Sequence, residues 1–474
     1  MVGCGGDAVS EPVDLGPKPP AGWDETVRGP AALDRNPDPN VVEVDLEART
    51  VMVEYKPGVP VETWTYGGGS PGPLIRVPQG ARLIVHFTNN LPEETTVHWH
   101  GVRLPAAMDG VPDHSQPAVP PGGHFDYDFI VPDAGLFWYH PHVRSVVQVA
   151  DGLYGPLLVE SRTGFDRSKA GNAPELGPEL VLVLSDVALT TDGHRVDPDA
   201  GGDLATLFGR EGSLVLVNGH VRPTVLARSG QRQRWRIVNA AISRYFQLKI
   251  PGLTFTRIGS DGGLLPAAQE SEVLLLTPGQ RADVLVTPRG EADTTLALRW
   301  IPYDRGFGSY EFRPEEDIMT IRLTADDPII DPPAGLPAIL RNIEALDTTT
   351  FTSRALQLTQ DTVDGRLILG IDNIPSWDAE PLHARIGDTE IWTVTNAMAW
   401  DHPFHLHGFF FQAVDPLTNA PVLPLEWRDT INVPQYETVA FAVRYDDRPG
   451  MWMFHCHILD HAEAGMMGML HLAP

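Results

Sequence analysis

Cysteine is nearly absent from this chain of 474 residues, which has only Cys4 and Cys456. A disulfide framework is therefore excluded as the source of stability. Positive charge is also scarce. Lysine and arginine total 35 against 62 acidic residues, for a net charge of −27. Such a surface repels nucleic acid and anionic membranes, so no nucleic acid partner is expected. No apolar run reaches the roughly 18 residues of a membrane-spanning helix. A complete signal peptide is missing too, but Met1-Val2-Gly3-Cys4-Gly5-Gly6 reads as the tail of a bacterial lipoprotein signal. On that reading Cys4 is a lipid-anchor site. The protein is then expected outside the cytoplasm: periplasmic, held at the cell surface as a lipoprotein, or secreted.

What the chain has in excess is turn formers, with 45 glycines and 44 prolines. Long helices cannot dominate such a sequence. Residues 1–40 read as a flexible lead-in. Short strand-like runs follow, at Val41–Leu46, Arg82–Phe87, Leu180–Leu184, Arg234–Val238, Ala282–Val286, Glu390–Val394 and Val439–Val443. Linker-like stretches near 161–178 and 326–342 divide the chain into blocks 41–162, 175–326 and 343–474. One signature recurs in each block: a turn glycine precedes by nine residues an asparagine that ends a strand (Gly80 to Asn89, Gly230 to Asn239, Gly387 to Asn396). The expectation is an all-β fold built from three copies of one sandwich.

The 17 histidines are unevenly spread. His98 and His100 form one His-X-His pair, His140 and His142 a second, His405 and His407 a third, and His455 and His457 a fourth around Cys456. Residues i and i+2 of a strand share a face, so each pair can send two imidazoles into one cavity. Imidazole suits copper, zinc, iron and nickel. Four such pairs cannot be surface accident, because each buried ring nitrogen needs a partner. Zinc is less attractive, since eight histidines exceed an ordinary tetrahedral site.

Cys456 points away from its two histidine neighbours. It can bind a metal on one face of the strand while they serve a second centre behind it. With His402, His461 and Met466 it completes the ligand set of a blue-copper electron-transfer site. Half of the eight remaining histidines lie in the first block and half in the last. Those blocks must therefore touch, with the cluster between them.

The motifs HWHG, WYHPH, HPFHLHG and HCHILDHAEAGM, in this order, resemble those of three-domain multicopper oxidases of the bacterial laccase type. The resemblance implies three consecutive cupredoxin-like Greek-key β-sandwich domains and four copper ions per chain. It implies that His402, Cys456, His461 and Met466 hold a type 1 copper. His98 and His405 would hold a type 2 copper, and His100, His140, His142, His407, His455 and His457 a type 3 pair. Asp109 resembles an acid that assists proton delivery. Asp429 is expected near the type 1 pocket. Many relatives place an acid directly after the second type 1 histidine, but here that position is Ala462; either the following Glu463 substitutes or the proton path relies mainly on Asp109.

The activity implied is one-electron oxidation of phenols or aromatic amines, coupled to four-electron reduction of dioxygen to water. The alternatives are a metallo-oxidase for Cu(I) or Fe(II), or a bilirubin-oxidase-like enzyme. No methionine-rich insertion supports the metallo-oxidase. Met451, Met453, Met466, Met467 and Met469 read as core packing. The reductant site is expected near His461, under loops 302–316 and 415–428. A monomer is expected.

Overall fold

A computed structural model describes residues 29–474 except 57, 165–175, 191, 198–199, 307–312, 331–334 and 364–365. Cys4 and most of the lead-in therefore lie outside the described residues. The rest is predominantly β, in six sheets that pair into three cupredoxin-like sandwiches.

The same frame is built three times. In the first sandwich, Val41–Lys56 runs parallel to Arg82–Asn90, which pairs antiparallel with His124–Ile130. In the middle one, Glu179–Val187 runs parallel to Gln233–Asn239, which pairs antiparallel with Arg281–Val286. In the third, Thr352–Val363 and Thr389–Asn396 are parallel, and Thr438–Arg444 is antiparallel to the latter. Strand Arg82–Asn90 alternates outward and buried residues along its length, as a strand with one face on a core must.

The glycine-to-asparagine signature has a structural cause. Gly80, Gly230 and Gly387 all have positive φ, between 76° and 92°, which a residue with a Cβ adopts at a cost. Each asparagine side chain then pins the loop after its strand. Its Oδ1 accepts from the N–H two residues on, at Leu91, Ala241 and Met398. Its Nδ2 donates to a carbonyl four or five residues on and to another on a distant segment. All three asparagines are buried, so these bonds satisfy groups that water cannot reach.

The second sheet of each sandwich carries the chemistry. In the first it orders Ile75–Pro78, Gly155–Glu160, Gly135–His140 and His98–His100, and in the third Leu382–Arg385, Met467–Ala473, Gly450–Cys456, His402–Leu406 and Thr430–Val433. The first and third sandwiches share one continuous apolar core. The middle one has its own. A smaller cluster including Trp138, Val238 and Leu459 ties all three together.

Candidate metal centres

Strand pairing sets the histidine positions. His98 faces His140 across one ladder, and His405 faces His455 across another. The faces carrying these rings meet where the first and third sandwiches pack. His98 stacks on His407 with ring centroids 3.9 Å apart, and His100 stacks on His405 at 3.9 Å. All eight histidines of the four pairs thus gather in one chamber, half from each outer sandwich. Potential ligand atoms lie within 4.8 Å of one another in four triads: His98, His100 and His405; His98, His142 and His407; His100, His140 and His457; and His405, His407 and His455.

The opposite face of strand Gly450–Cys456 holds the second centre. His402 Nδ1 lies 3.4 Å from Cys456 Sγ, His461 Nδ1 lies 3.6 Å from it, and the two ring nitrogens are 3.1 Å apart. All three residues are fully buried, as is Met466. The backbone of Met466 is hydrogen-bonded to both Cys456 and His461, which holds that loop tight against the site.

The surrounding groups fix which ring nitrogen faces inward. His98 Nδ1 donates to the Asp109 carbonyl at 2.7 Å, His140 Nδ1 to that of Pro141 at 3.1 Å, and His405 Nδ1 to that of Asp429 at 2.8 Å. His455 Nδ1 donates to the Cys456 carbonyl at 2.8 Å, and His407 Nδ1 to Asp109 Oδ2 at 2.8 Å. A carbonyl can only accept, so each of those rings carries its proton on the outer nitrogen and turns a lone pair inward. This is the outer support that ligating histidines require.

Several inner atoms have no protein partner: Nε2 of His98, His140, His142 and His405 is buried without a hydrogen bond. Orphaned buried nitrogens are costly unless something fills the chamber. Burial pushes the imidazoles of His100, His140, His142, His402, His407 and His457 far below the ordinary histidine value, and neighbouring rings push the same way. For His455 and His461 the result is about 3. These rings are neutral at physiological pH, as metal ligands must be. Burial also pushes the Cys456 thiol up, so a thiolate there needs a cation beside it. The donor set fits several soft or borderline metal ions, copper foremost.

Asp109, 1% exposed, lies between His98 and His407. Asp429 lies away from its expected place. It was expected near the mononuclear site, but strand Thr430–Val433 pairs with His402–Leu406 so that Thr430 lies opposite His405. The preceding Asp429 falls beside the eight-histidine chamber, with Oδ1 3.3 Å from His100 Nε2. Glu463 accepts a 2.8 Å bond from the Val146 N–H at the start of helix Ser145–Ala150, a different neighbourhood from the Asp109 carboxylate.

The middle sandwich supplies support that motif reading missed. Arg281, fully buried, makes a two-pronged ion pair with Asp429 at 2.8 and 2.5 Å. It also donates to carbonyls of Leu136, Gly279 and Asp261. Burial opposes ionisation of Asp429, but the Arg281 guanidinium overrides it and holds that carboxyl well below the usual range. Burial prevails at Asp261, whose carboxyl rises to about 6. Gly279 has a φ of +86°, and a Cβ there would sit 2.9 Å from His457 and 3.1 Å from His100.

The middle sandwich also covers the mononuclear site. His461 Nε2 donates to the Leu207 carbonyl at 3.1 Å, on the short helix Gly202–Phe208. Arg305 bonds the Phe208 carbonyl, and Arg210 pairs with Asp460. Loop 415–428 ends in a Glu426–Arg257 pair and a Trp427 carbonyl that receives the Gly262 N–H.

Multicopper oxidase sequence profiles match residues 47–164, 179–299 and 347–473. The chain belongs to the multicopper oxidase family and is a copper-binding oxidoreductase. It is 32% identical over 453 residues to the multicopper oxidase MmcO of Mycobacterium tuberculosis, covering 86% of this chain and 82% of that one. A multicopper oxidase from Campylobacter jejuni, described as a metallo-oxidase, superposes with a TM-score of 0.80 at 28% identity over 94% of each chain. A laccase from Pediococcus acidilactici gives 0.81 at 29% identity, over 96% of this chain and 94% of that one.

Proposed function

We propose that the protein is a laccase-type multicopper oxidase that takes single electrons from phenols or aromatic amines and reduces dioxygen to water. The observation that carries this reading is the strand end His455-Cys456-His457. Cys456 belongs to the triad with His402 and His461, while His455 and His457 belong to triads of the chamber behind it. Two peptide bonds thus join the centres, a path short enough to wire one to the other.

In this proposal His402, Cys456, His461 and Met466 hold the type 1 copper, and His98 and His405 the type 2 copper. His100, His140, His142, His407, His455 and His457 hold the type 3 pair, giving four ions. The bound coppers would supply the one-electron storage and the chemistry of dioxygen. The chain supplies position and protons. Asp109 orients His98 and His407 and is the nearest carboxylate for proton delivery to the chamber. Glu463 is proposed as a secondary acid on the outer route.

A second reading, a metallo-oxidase for Cu(I) or Fe(II), is favoured by one feature. The outer nitrogen of His461 is already bonded to Leu207, so a bulky phenol cannot hydrogen-bond to it directly. Dioxygen uptake by the copper-loaded protein, compared for a phenol, an aromatic amine, Cu(I) and Fe(II), separates the readings. A Cu(I) efficiency far above the organic ones favours the second, and no uptake with any reductant removes both. Among the described residues no helix is long and apolar enough to cross a membrane. An extracytoplasmic site with Cys4 lipidated belongs to the same proposal, and mass spectrometry of the mature N-terminus tests it.

A further inference from the structure

Three of the five clustered C-terminal methionines are not core residues. Strand Met467–Ala473 alternates, with Gly468, Leu470 and Leu472 buried and Met467, Met469 and His471 turned outward. Its neighbours continue the pattern across the sheet. His471 pairs in register with His383 on one side and with Met451 on the other. Paired residues of adjacent strands share a face. The two imidazoles meet, with Nδ1 of His471 3.3 Å from Nδ1 of His383. Both histidines are exposed and Met451 is partly so. The next rung pairs Met469 with Met453 on the same face.

We propose that this outward face binds one soft monovalent metal ion, Cu(I), through His383, His471 and Met451, as a site separate from both centres described above. The two Nδ1 atoms already sit close enough for one cation to bridge them. Thioether and imidazole donors select Cu(I) among biological ions, whereas hard cations need the carboxylates that this rung lacks. Met469 offers a further thioether one rung along. Met467 pairs with His455 on the same face and Met453 is buried there, so the exposed end of the face is the rung of His383, His471 and Met451.

The test is an anaerobic titration of the fully copper-loaded protein, its resident ions reduced beforehand, with Ag(I), a redox-inert soft cation, and in parallel with Cu(I) held by a competing chelator. The expected result is one equivalent of each beyond the resident ions. The double variant His383→Gln/His471→Gln should lose it, and Met451→Leu should weaken it. All of these side chains are exposed or partly so, and unchanged visible absorption and melting would confirm that the variants fold. Three results would each overturn the proposal. One is no further equivalent in the unaltered protein. Another is the same extra equivalent, equally tight, in the double variant. The third is Zn(II) bound as tightly as Ag(I) with Met451→Leu without effect.

Discussion

The middle sandwich and the two outer ones are the same frame put to different uses. In the outer two, the paired strands of the second sheet set His98 opposite His140 and His405 opposite His455. In the middle one, the corresponding pair is Phe246–Lys249 with Thr295–Ile301, where Leu248 faces Trp300. The backbone arrangement is alike, but the ladder that elsewhere presents imidazoles here presents core. Among the described residues, the middle sandwich contributes to none of the clustered triads. It serves both from outside, with Arg281 behind the chamber and helix Gly202–Phe208 over His461. The fold provides the ladder, and a few side chains on it decide whether it is a metal site or a brace.

The most severe break falls on the outer side of this comparison. Cys456→Ser removes the thiolate from the mononuclear triad. The expected outcome is complete loss of the intense visible absorption and of turnover in the copper-loaded protein. The change in folding should be small, since serine fits the same space. Visible spectra, dioxygen uptake and a thermal melt check this. Retained turnover would mean that electrons reach the chamber without Cys456.

Next in size is the brace itself. Arg281→Met leaves Asp429 buried with its counter-charge gone. Breaking one side of a buried pair costs about 3–5 kcal/mol, far more than a surface pair is worth. Denaturant unfolding should show that loss. Outer-support changes typically weaken metal binding by about 10–100-fold. Copper analysis should therefore show depletion at the chamber, where Asp429 holds His100 and His405, while the visible absorption of the mononuclear site survives. Equal depletion of both centres would show that Arg281 merely stabilises the fold.

The two sides of the comparison differ in how far they could be read from sequence. The histidine pairs were legible because strand geometry has a period of two, so His98 and His100 announce a shared face without knowledge of any neighbour. The repeat was legible because Gly80 and Asn89 act within one loop. Arg281, Asp429 and Leu207 act across sandwiches, through packing that no local period encodes. Asp429 was misplaced for that reason: its distance in sequence from His405 said nothing of the antiparallel ladder that sets it beside the chamber. The outward methionines lay between these cases. The alternation of Met467, Met469 and His471 was there to see, but which face was outward depended on the sheet.

The cover over His461 gives a milder test. Leu207→Gly should loosen helix Gly202–Phe208, since glycine inside a helix costs about 1 kcal/mol relative to alanine. The expected outcome is a several-fold rise in kcat/KM for a bulky phenol, with the rate for Fe(II) or Cu(I) little changed. Steady-state kinetics with paired substrates check it. Equal change for all reductants would mean that the helix does not gate access.

The smallest effect concerns a position where the first and middle sandwiches correspond residue for residue. His86 lies nine-residue register for register with Arg236, six residues after Gly80 and Gly230 respectively. His86 bonds Asp126 at 2.8 Å and Glu43 at 3.0 Å on the flanking strands. Arg236 bonds Glu179 at 2.7 Å and Asp283 at 3.2 Å in the same arrangement. The bond to Asp126, then that to Glu43, raises the His86 imidazole above its ordinary value. A raised folded value means stabilisation that is fully present below the unfolded value of about 6.5 and lost as pH climbs through the folded one. An arginine side chain stays charged throughout this range, so the corresponding position of the middle sandwich does not switch off with rising pH. His86→Gln should therefore lower the melting temperature slightly below about pH 6, with the difference closing at alkaline pH. His86→Arg should keep the stabilisation at both ends. The effect is small because His86 is 37% exposed and solvent screens the pair. If the glutamine variant were equally destabilised at both pH values, the loss would be one of packing, and the charge at this position would not distinguish the two sandwiches.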